Sequence, residues 1–393
     1  MIKRIETTKE EFYNSVEKIR EIIKNNNNFL FLFSPDPDAV GTSIAFGIFL
    51  KMLNKNSSVF LSNGFDKNSS FLFDIAKYNN IDILRNKSSV LDYITKKEPV
   101  YVIIDTPNSF LISGFDKIKK AKRKTEPKVI EIDHHFGGDS EQIFHNSATL
   151  YLRYSSAAEI VFHFLEAYFK DSNLKKEEIF PRNIILALLV GLCFDTQFGK
   201  YVVNKEIYNS SFSFLSESIQ KLTWEVKPTN FKSAKQIFES INKMSMAKEK
   251  VLDSFADYIN IIDNVGLLIV PHISMKDSLS KGGDSTCIFS KLVTDLSNMV
   301  PEISGNIGIL AYFDDISDLY FLKIRRDYAY NSYDLRDLEV ELKDIFGEHY
   351  IGGGGHTGAT SFRIAKMDRE MFEDRVKIFH MFLVSIVKKS LDL

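Results

Sequence analysis

Short apolar runs alternate with longer amphipathic segments through the first half of the chain. Each run is rich in β-forming residues and is followed by polar or turn residues, which is typical of a buried parallel strand. Strands that alternate with helices predict βαβ units and a parallel sheet. The runs are Phe29–Phe33, Ser58–Leu61, Val100–Ile104 and Val129–Ile132, and helical spacing is found over Ile44–Leu53 and Ile184–Val190.

The pattern changes between Trp224 and Tyr258, where a polar stretch leads into a long amphipathic segment. We interpret residues 224–258 as a helical linker between an N-terminal domain, residues 1–223, and a C-terminal domain, residues 259–393. The predicted fold class is α/β, with a parallel-sheet N-terminal domain and a smaller α/β C-terminal domain. Further apolar runs in the C-terminal part are Val265–Val270, Ile307–Phe313 and Leu319–Ile324.

Length and charge narrow the classes of function. A chain of 393 residues has room for two or three domains at roughly 150 residues each. Its 50 Lys and Arg residues against 52 Asp and Glu residues leave a net charge of −2, so no global positive field attracts duplex nucleic acid or an anionic membrane. No run reaches the roughly 18 apolar residues of a membrane helix, and Cys193 and Cys287 form no CxxC motif. We expect a soluble, cytoplasmic protein that binds any anionic ligand at a local site.

Acidic residues follow the ends of the apolar runs, where open α/β sheets bind their ligands. A single acid at such a position is more often a helix cap, but packed carboxylates repel one another unless cations neutralise them. Oxygen ligands with one or two imidazoles suit Mn²⁺ or Mg²⁺. Two such ions about 3.5–4 Å apart would form a hydrolytic site for phosphate esters. The residues at these positions are Asp36, Asp38, Asp105, Asp133, His134, His135 and Asp195.

The order and spacing of six motifs resemble the DHH phosphoesterase superfamily. The motifs are PDPDAVGTS at 35–43, IIDT at 103–106, DHH at 133–135, SSAAEIV at 155–161, GLCFDT at 191–196 and GGGGHTGATSF at 352–362. They span nearly the whole chain. They are most similar to the two-domain branch with a DHH-associated C-terminal domain, which contains oligoribonuclease/pAp-phosphatase enzymes and cyclic-di-AMP phosphodiesterases.

The resemblance implies five metal ligands. Asp36 would bind one ion, Asp38 would bind the other, and Asp105 would bridge the two. His134 and Asp195 would complete the shell of the second ion. The cofactor implied is a pair of Mn²⁺ ions, with Mg²⁺ or a single ion as alternatives.

The same resemblance implies two catalytic residues in the DHH motif. His135 is similar to the family histidine that faces the substrate phosphate. Asp133 would not bind the metal directly but would orient a metal ligand by hydrogen bonding.

Two positions depart from the family pattern. The first motif normally begins with a histidine, and here that position is Leu32, which cannot bind a metal. Three interpretations remain open: a weakly held first ion, a substitute histidine such as His145, or a protein that has lost catalysis and become a binder. The second departure is Gln197, where the family more often has glycine, and we interpret it as a changed substrate fit.

The glycine run before His356 is either a flexible loop or a phosphate-binding element, because glycines let the backbone approach a phosphate closely. The resemblance favours the second interpretation and implies that Gly353, Gly354, Gly355 and His356 contact the nucleotide. Arg325 stands where related sequences carry a strand-end arginine, which can grip a phosphate or stack on a base.

These observations predict a metal-dependent phosphodiesterase or phosphatase that hydrolyses small nucleotides through a metal-activated water. Its partners would be a small nucleotide or short single-stranded RNA, without duplex nucleic acid or membrane, and related proteins imply a homodimer. The alternative is a catalytically weakened nucleotide sensor, which the loss of the histidine at Leu32 favours.

Overall fold

The structure is a computed structural model, which describes residues 2–61, 67–137, 140–223, 230–243, 252–270, 285–315, 317–327, 330 and 332–391. The chain forms two compact units. The first contains residues 1–135 and 140–243, and the second contains residues 136–139 and 244–393. Within the described ranges, no helix is both long and apolar enough to cross a membrane.

The first unit is built on a six-stranded sheet in which all neighbouring strands are parallel. The strand order is β4-β3-β2-β5-β6-β8, so the chain folds outward from the centre in both directions. Each of the four strands predicted from the sequence overlaps an observed one. The strands are β2 (Asn28–Leu32), β3 (Asn56–Phe60), β4 (Asp82–Leu84), β5 (Val100–Ile104), β6 (Val129–Asp133) and β8 (Ala148–Tyr151).

A short antiparallel ribbon lies beside this sheet, where β1 (Ile2–Lys3) pairs with β7 (Glu141–Gln142). It brings the start of the chain to the segment that follows β6. A capping box of Thr8 and Glu11 then begins the first helix. The helices of the first unit are α1 (Lys9–Asn25), α2 (Pro37–Met52), α3 (Phe71–Tyr78), α4 (Lys87–Lys97), α5 (Phe115–Lys119), α6 (Ala157–Tyr168), α7 (Lys176–Ile179), α8 (Arg182–Asp195), α9 (Lys205–Leu222) and α10 (Ala234–Ile241).

Alternate residues of β2 enter two different cores. Phe29 and Phe31 face the larger cluster with α2, α6 and α8, whereas Leu30 and Leu32 face the smaller cluster on the other side of the sheet. Both faces are therefore covered, which explains why the strands are continuous apolar runs. Helix α2 is buried over most of its length, and Gly41 lets it approach α8 closely, since a Cβ there would lie 2.5 Å from the carbonyl oxygen of Ala187.

The second unit has a six-stranded mixed sheet in the order β13-β14-β12-β11-β10-β9. Only β10 and β11 are parallel neighbours among these described strands. Helices pack on this sheet, and the α/β fold class predicted from the sequence is confirmed. The elements are β9 (Asn260–Ile262), β10 (Val265–Ile269), α11 (Ser285–Ser304), β11 (Ile307–Asp314), β12 (Leu319–Arg326), α12 (Leu338–Phe346), β13 (Tyr350–His356), β14 (Ala359–Ala365) and α13 (Arg369–Leu391).

The segment predicted as a linker, residues 224–258, is described in part. Its helix α10 buries Ala234, Ile237 and Ile241 in the larger core of the first unit. This part of the segment is thus packed against the first unit, and the division between the two units lies after Lys243.

Candidate metal centre

Asp36 connects β2 to α2 and is the N-cap of that helix. Its Oδ1 accepts a hydrogen bond from the backbone N–H of Ala39 at 2.8 Å, and Pro37 takes the first helical position, where its missing N–H costs nothing. The capping role considered for strand-end acids is therefore real at this residue. A helix cap can also bind a metal. Burial first, and the carboxylates of Asp105 and Asp195 second, raise the pKa of Asp36, and a bound cation would relieve this repulsion.

Asp38 is fully buried in the first turn of α2 and is held by three donors. Its oxygens accept the backbone N–H groups of Ala157 at 2.7 Å and Ala158 at 3.1 Å, together with the Thr42 hydroxyl at 2.8 Å. The two N–H groups belong to the first turn of α6, where the helix dipole favours a negative charge. The SSAAEIV motif therefore fixes the orientation of this carboxylate.

Asp105 follows β5 and adopts a left-handed backbone conformation with φ of 50°, which is strained for a residue with a side chain. Its backbone N–H donates to the carbonyl of Ile132 at 3.0 Å. Its carboxylate is 2 % exposed, and Oδ1 lies 3.0 Å from Nε2 of His134 and 3.4 Å from Nδ1 of His135. Asp105 is thus the acid that faces both histidines.

The DHH motif lies at the end of β6. Nε2 of His134 lies between two carboxylates, 3.0 Å from Asp105 Oδ1 and 3.1 Å from Asp195 Oδ2. The next residue, His135, places Nδ1 2.8 Å from Oδ1 of Asp133. His134 therefore lies between Asp105 and Asp195, whereas His135 lies nearest to Asp133.

Asp195 reaches the site from a helix. The apolar segment that precedes it is α8, and Asp195 is the last residue of that helix. The helical spacing over Ile184–Val190 predicted this helix, whereas grouping Asp195 with the acids at the ends of strands was wrong. The segment is long enough for four helical turns, and it is apolar all round because it is buried between other helices.

Charge and burial at this edge of the sheet favour a cation. Burial first, and neighbouring carboxylates second, raise the pKa of Asp38 and of Asp105, although hydrogen bonds from His134 oppose the shift at Asp105. The pKa of His134 is also raised, since its bonds to Asp105 and Asp195 outweigh its burial. A bound divalent cation would relieve this repulsion.

Two groups of side chains have ligand atoms that lie within 4.8 Å of one another. They share Asp105 and His134, and both combine carboxylate oxygens with imidazole nitrogens, which is the donor set that Mn²⁺ or Mg²⁺ accepts. The residues present therefore fit a divalent metal. The groups are Asp38, Asp105, His134 and Asp195, and Asp105, Asp133, His134 and His135.

Leu32, at the position of the absent histidine, is fully buried at the end of β2 and packs in the smaller apolar core. The proposed substitute, His145, is exposed and belongs to neither group of ligands that the described residues form. Gln197 follows α8 with φ of 47°, a conformation that glycine adopts without strain.

The substrate residues predicted in the second unit lie on β12 and β13, which are separated by β14 in the sheet. Arg325 is in β12, with Nε 2.8 Å from the hydroxyl of Ser297. The glycine run is a strand, β13, so the flexible-loop interpretation is wrong. A Cβ at Gly353 would lie 2.3 Å from the carbonyl oxygen of Ser361, and this close pairing gives the glycine a structural reason. His356 ends the strand, and its side chain lies outside the described residues.

Sequence reasoning missed Arg4, whose side chain is 2 % exposed and lies 2.9 Å from Asp133. No local signal identifies it, because a basic residue before a helix is ordinarily a solvated charge. Its partners are more than a hundred positions away in sequence.

Comparison with known proteins finds similarity in sequence over part of the chain and in fold over most of it. A region of 201 residues is 28 % identical to the uncharacterised protein MJ0988 of Methanocaldococcus jannaschii and covers 50 % of this chain. The chain spans about half of that relative, 53 % of its length. Among solved structures, an exopolyphosphatase-related protein from Bacteroides fragilis has a TM-score of 0.65 at 17 % identity, over 95 % of this chain and 98 % of its own. It shows the same fold.

The model of the DHH family, N-terminal domain, matches residues 32–192. This range begins at Leu32, the last residue of β2, and includes strands β3 to β8, the DHH motif and all but the last residues of α8. Residues 32–192 are therefore similar to the N-terminal domain of the DHH family.

Proposed function

We propose that this protein is a divalent-metal-dependent phosphoesterase that hydrolyses small nucleotides, such as short oligoribonucleotides, pApA, pAp or cyclic di-AMP. The observation that carries the proposal is the convergence of Asp38, Asp105, His134 and Asp195, whose ligand atoms lie within 4.8 Å of one another. The match of the DHH family model to residues 32–192 supports phosphoester chemistry.

Asp38, Asp105, His134 and Asp195 would hold one ion, and Asp36 would join Asp105 at the other. Mn²⁺ is the ion we propose, with Mg²⁺ as its substitute. When bound, such ions supply positive charge to the phosphoryl oxygens and lower the pKa of a water molecule.

The protein's own side chains would then position the substrate. His135, with a side chain 24 % exposed, would donate a hydrogen bond to the phosphoryl group as negative charge develops. Asp133 would fix that imidazole through the 2.8 Å contact to Nδ1. In the second unit, Arg325, Gly353–Gly355 and His356 would bind another phosphate or the base.

The test is hydrolysis of pApA, short 5′-phosphorylated RNA, pAp and cyclic di-AMP in the presence of Mn²⁺. The control is the double variant Asp133→Ala, His134→Ala, purified in the same way. We expect the wild type to hydrolyse at least one substrate and the variant to lose roughly 100-fold or more in rate. Equal rates for the two proteins on every substrate would reject the proposal.

Leu32 supports a second candidate, a nucleotide sensor with little catalysis, because the side chain offers no ligand beside Asp36. The variant Leu32→His discriminates the two functions. Its matched control is Leu30→His, which buries an imidazole in the same core two residues earlier. A gain in turnover confined to Leu32→His, from a nearly inactive parent, supports the sensor. An active parent whose rate changes little supports the enzyme.

A further inference from the structure

Arg4 lies between the short strand β1 and helix α1, and its side chain is buried in the first unit. The pairing of β1 with β7 brings this residue to the segment that follows the DHH motif. Its guanidinium stacks 4.6 Å from the ring centre of Tyr151. Burying an arginine is costly unless its N–H donors have acceptors. The acceptors around Arg4 therefore explain its burial.

All three guanidinium nitrogens of Arg4 are used. Nη1 lies 2.9 Å from Oδ2 of Asp133 and donates to the carbonyl of His135 at 3.2 Å. Nη2 donates to the carbonyl of Thr106 at 2.7 Å, and Nε donates to the carbonyl of Glu141 at 3.0 Å. The planar fork of arginine can bind several fixed acceptors at once, which a lysine cannot do.

Two of these partners lie beside predicted site residues. Thr106 follows Asp105, so the bond to its carbonyl holds the loop that carries the central acid. The bonds to Asp133 and to the carbonyl of His135 hold both ends of the DHH motif. Arg4 therefore ties together the loops after β5 and β6, and it contacts neither Asp38 nor Asp195 in the described structure.

The Asp133 carboxylate links Arg4 to the imidazole of His135. One oxygen contacts Arg4, and the other accepts the backbone N–H of His135 at 2.8 Å and lies 2.8 Å from its Nδ1. Both oxygens of Asp133 face donors, the guanidinium of Arg4 and the backbone N–H of His135. The carboxylate therefore accepts the hydrogen bond at Nδ1 of His135, and that nitrogen carries the proton.

We propose that Arg4 is a positioning residue for the phosphoesterase reaction, which fixes the orientation and tautomer of His135 through Asp133 and thereby presents Nε2 to the substrate. This inference rests on the proposed function. Arg4 itself is buried beneath the loops and acts through Asp133, so its removal lowers kcat more than it raises KM.

The test compares Arg4→Ala with Arg153→Ala. The control removes another arginine that pairs with the N-terminal segment, through Glu6 at 2.7 Å, without contact to Asp133. We expect Arg4→Ala to lower kcat by about 10-fold to 100-fold with KM changed less than about threefold, and Arg153→Ala to keep wild-type values. Guanidinium ion added to Arg4→Ala should restore part of the lost rate. A folded Arg4→Ala with wild-type kcat, or one in which only KM rises, overturns the proposal.

A second measurement separates this inference from the proposed function. The ¹⁵N shifts of the His135 imidazole in the metal-free protein report its tautomer without any substrate. We expect protonation at Nδ1 in the wild type and a mixture of tautomers in Arg4→Ala. If the wild type hydrolyses none of the substrates, the proposed function fails, and the tautomer still shows whether Arg4 controls His135. A His135 tautomer that is the same in Arg4→Ala as in the wild type would overturn the inference.

Arg4→Lys decides the case in which Arg4→Ala does not fold. Lysine keeps the positive charge beside Asp133 but cannot bind the three carbonyls together. A lower kcat and a mixed tautomer in Arg4→Lys support the proposal, whereas wild-type values for both overturn it.

Discussion

A methyl group on Gly191 would lie 2.0 Å from Oδ1 of Asp38. The glycine is in α8 and the acid is in α2, so the close packing of these two helices and the placement of one proposed metal ligand depend on the same contact. The same carboxylate also accepts the backbone N–H groups of Ala157 and Ala158, which leaves it little room to move.

Gly191→Ala should therefore weaken metal binding beyond its effect on stability. We expect a loss of roughly 1–3 kcal/mol in the free energy of unfolding from overpacking, and an Mn²⁺ affinity at least about tenfold lower in calorimetric titration. Gly41→Ala is the matched control, since its Cβ would meet the carbonyl of Ala187 at 2.5 Å in the same helix pair. Equal Mn²⁺ affinities for the two variants would contradict the prediction.

The two roles of Asp36 can be separated by substitution. Asp36→Asn should keep the cap of α2, because asparagine caps as well as aspartate, and so should unfold at nearly the wild-type temperature. Asp36→Ala should lose about 1 kcal/mol of stability. Both variants should lose the weaker Mn²⁺ ion in a titration that resolves two sites. If Asp36→Asn binds Mn²⁺ like the wild type, Asp36 is a cap alone.

Stability without metal should fall as pH rises above the ordinary pKa values of aspartate and histidine, 3.8 and 6.5. The pKa values of Asp38 and His134 are both raised in the folded protein, so each group holds its proton more tightly than in the unfolded chain. The stability that this supplies is present at lower pH and is lost as pH rises through the folded pKa values. Asp133 has a lowered pKa, and its contribution is lost only in strong acid.

The measurement is the unfolding temperature in excess chelator at several pH values. Asp38→Asn removes one of the titrating groups and should flatten the decline. With Mn²⁺ present the unfolding temperature should instead rise with pH, since a cation binds the deprotonated ligands. A wild-type melting temperature that rises with pH in chelator would refute the prediction.

Thr106 joins two loops of the site and is fully buried. Its hydroxyl accepts the backbone N–H of Ser34 at 3.0 Å and donates to the carbonyl of Ile104 at 2.8 Å. Thr106→Val should cost about 1–3 kcal/mol of unfolding free energy, because the Ser34 donor loses its acceptor. Thr106→Ser keeps the hydroxyl and should lie closer to the wild type in chemical denaturation; the reverse order would show that the methyl group matters more.

The sequence pattern predicted the first sheet because its strands are buried on both faces and so stand out as continuous apolar runs. It also predicted which acids would meet, since parallel strands end at one edge of the sheet. Asp195 was grouped with the acids at strand ends, although the helical spacing over Ile184–Val190 predicted the helix that carries it.

The remaining features depend on contacts that no local pattern records. Gly353 lies in β13, although glycine runs ordinarily indicate loops. The residue there is glycine because the partner strand β14 approaches too closely for a side chain. Arg4 is buried because four acceptors converge on it from distant parts of the chain. Both positions are explained by tertiary packing alone.

The proposed metal ligands Asp38, Asp105, His134 and Asp195 come from four separate segments of the first unit. No two of them are brought together by local structure, so each pairing requires the closure of a long loop. The repulsion between Asp38 and Asp195 therefore begins only when α8 packs against α2. We expect divalent cations to leave the folding rate unchanged and to slow unfolding instead. A bound cation would then lengthen the lifetime of the folded domain.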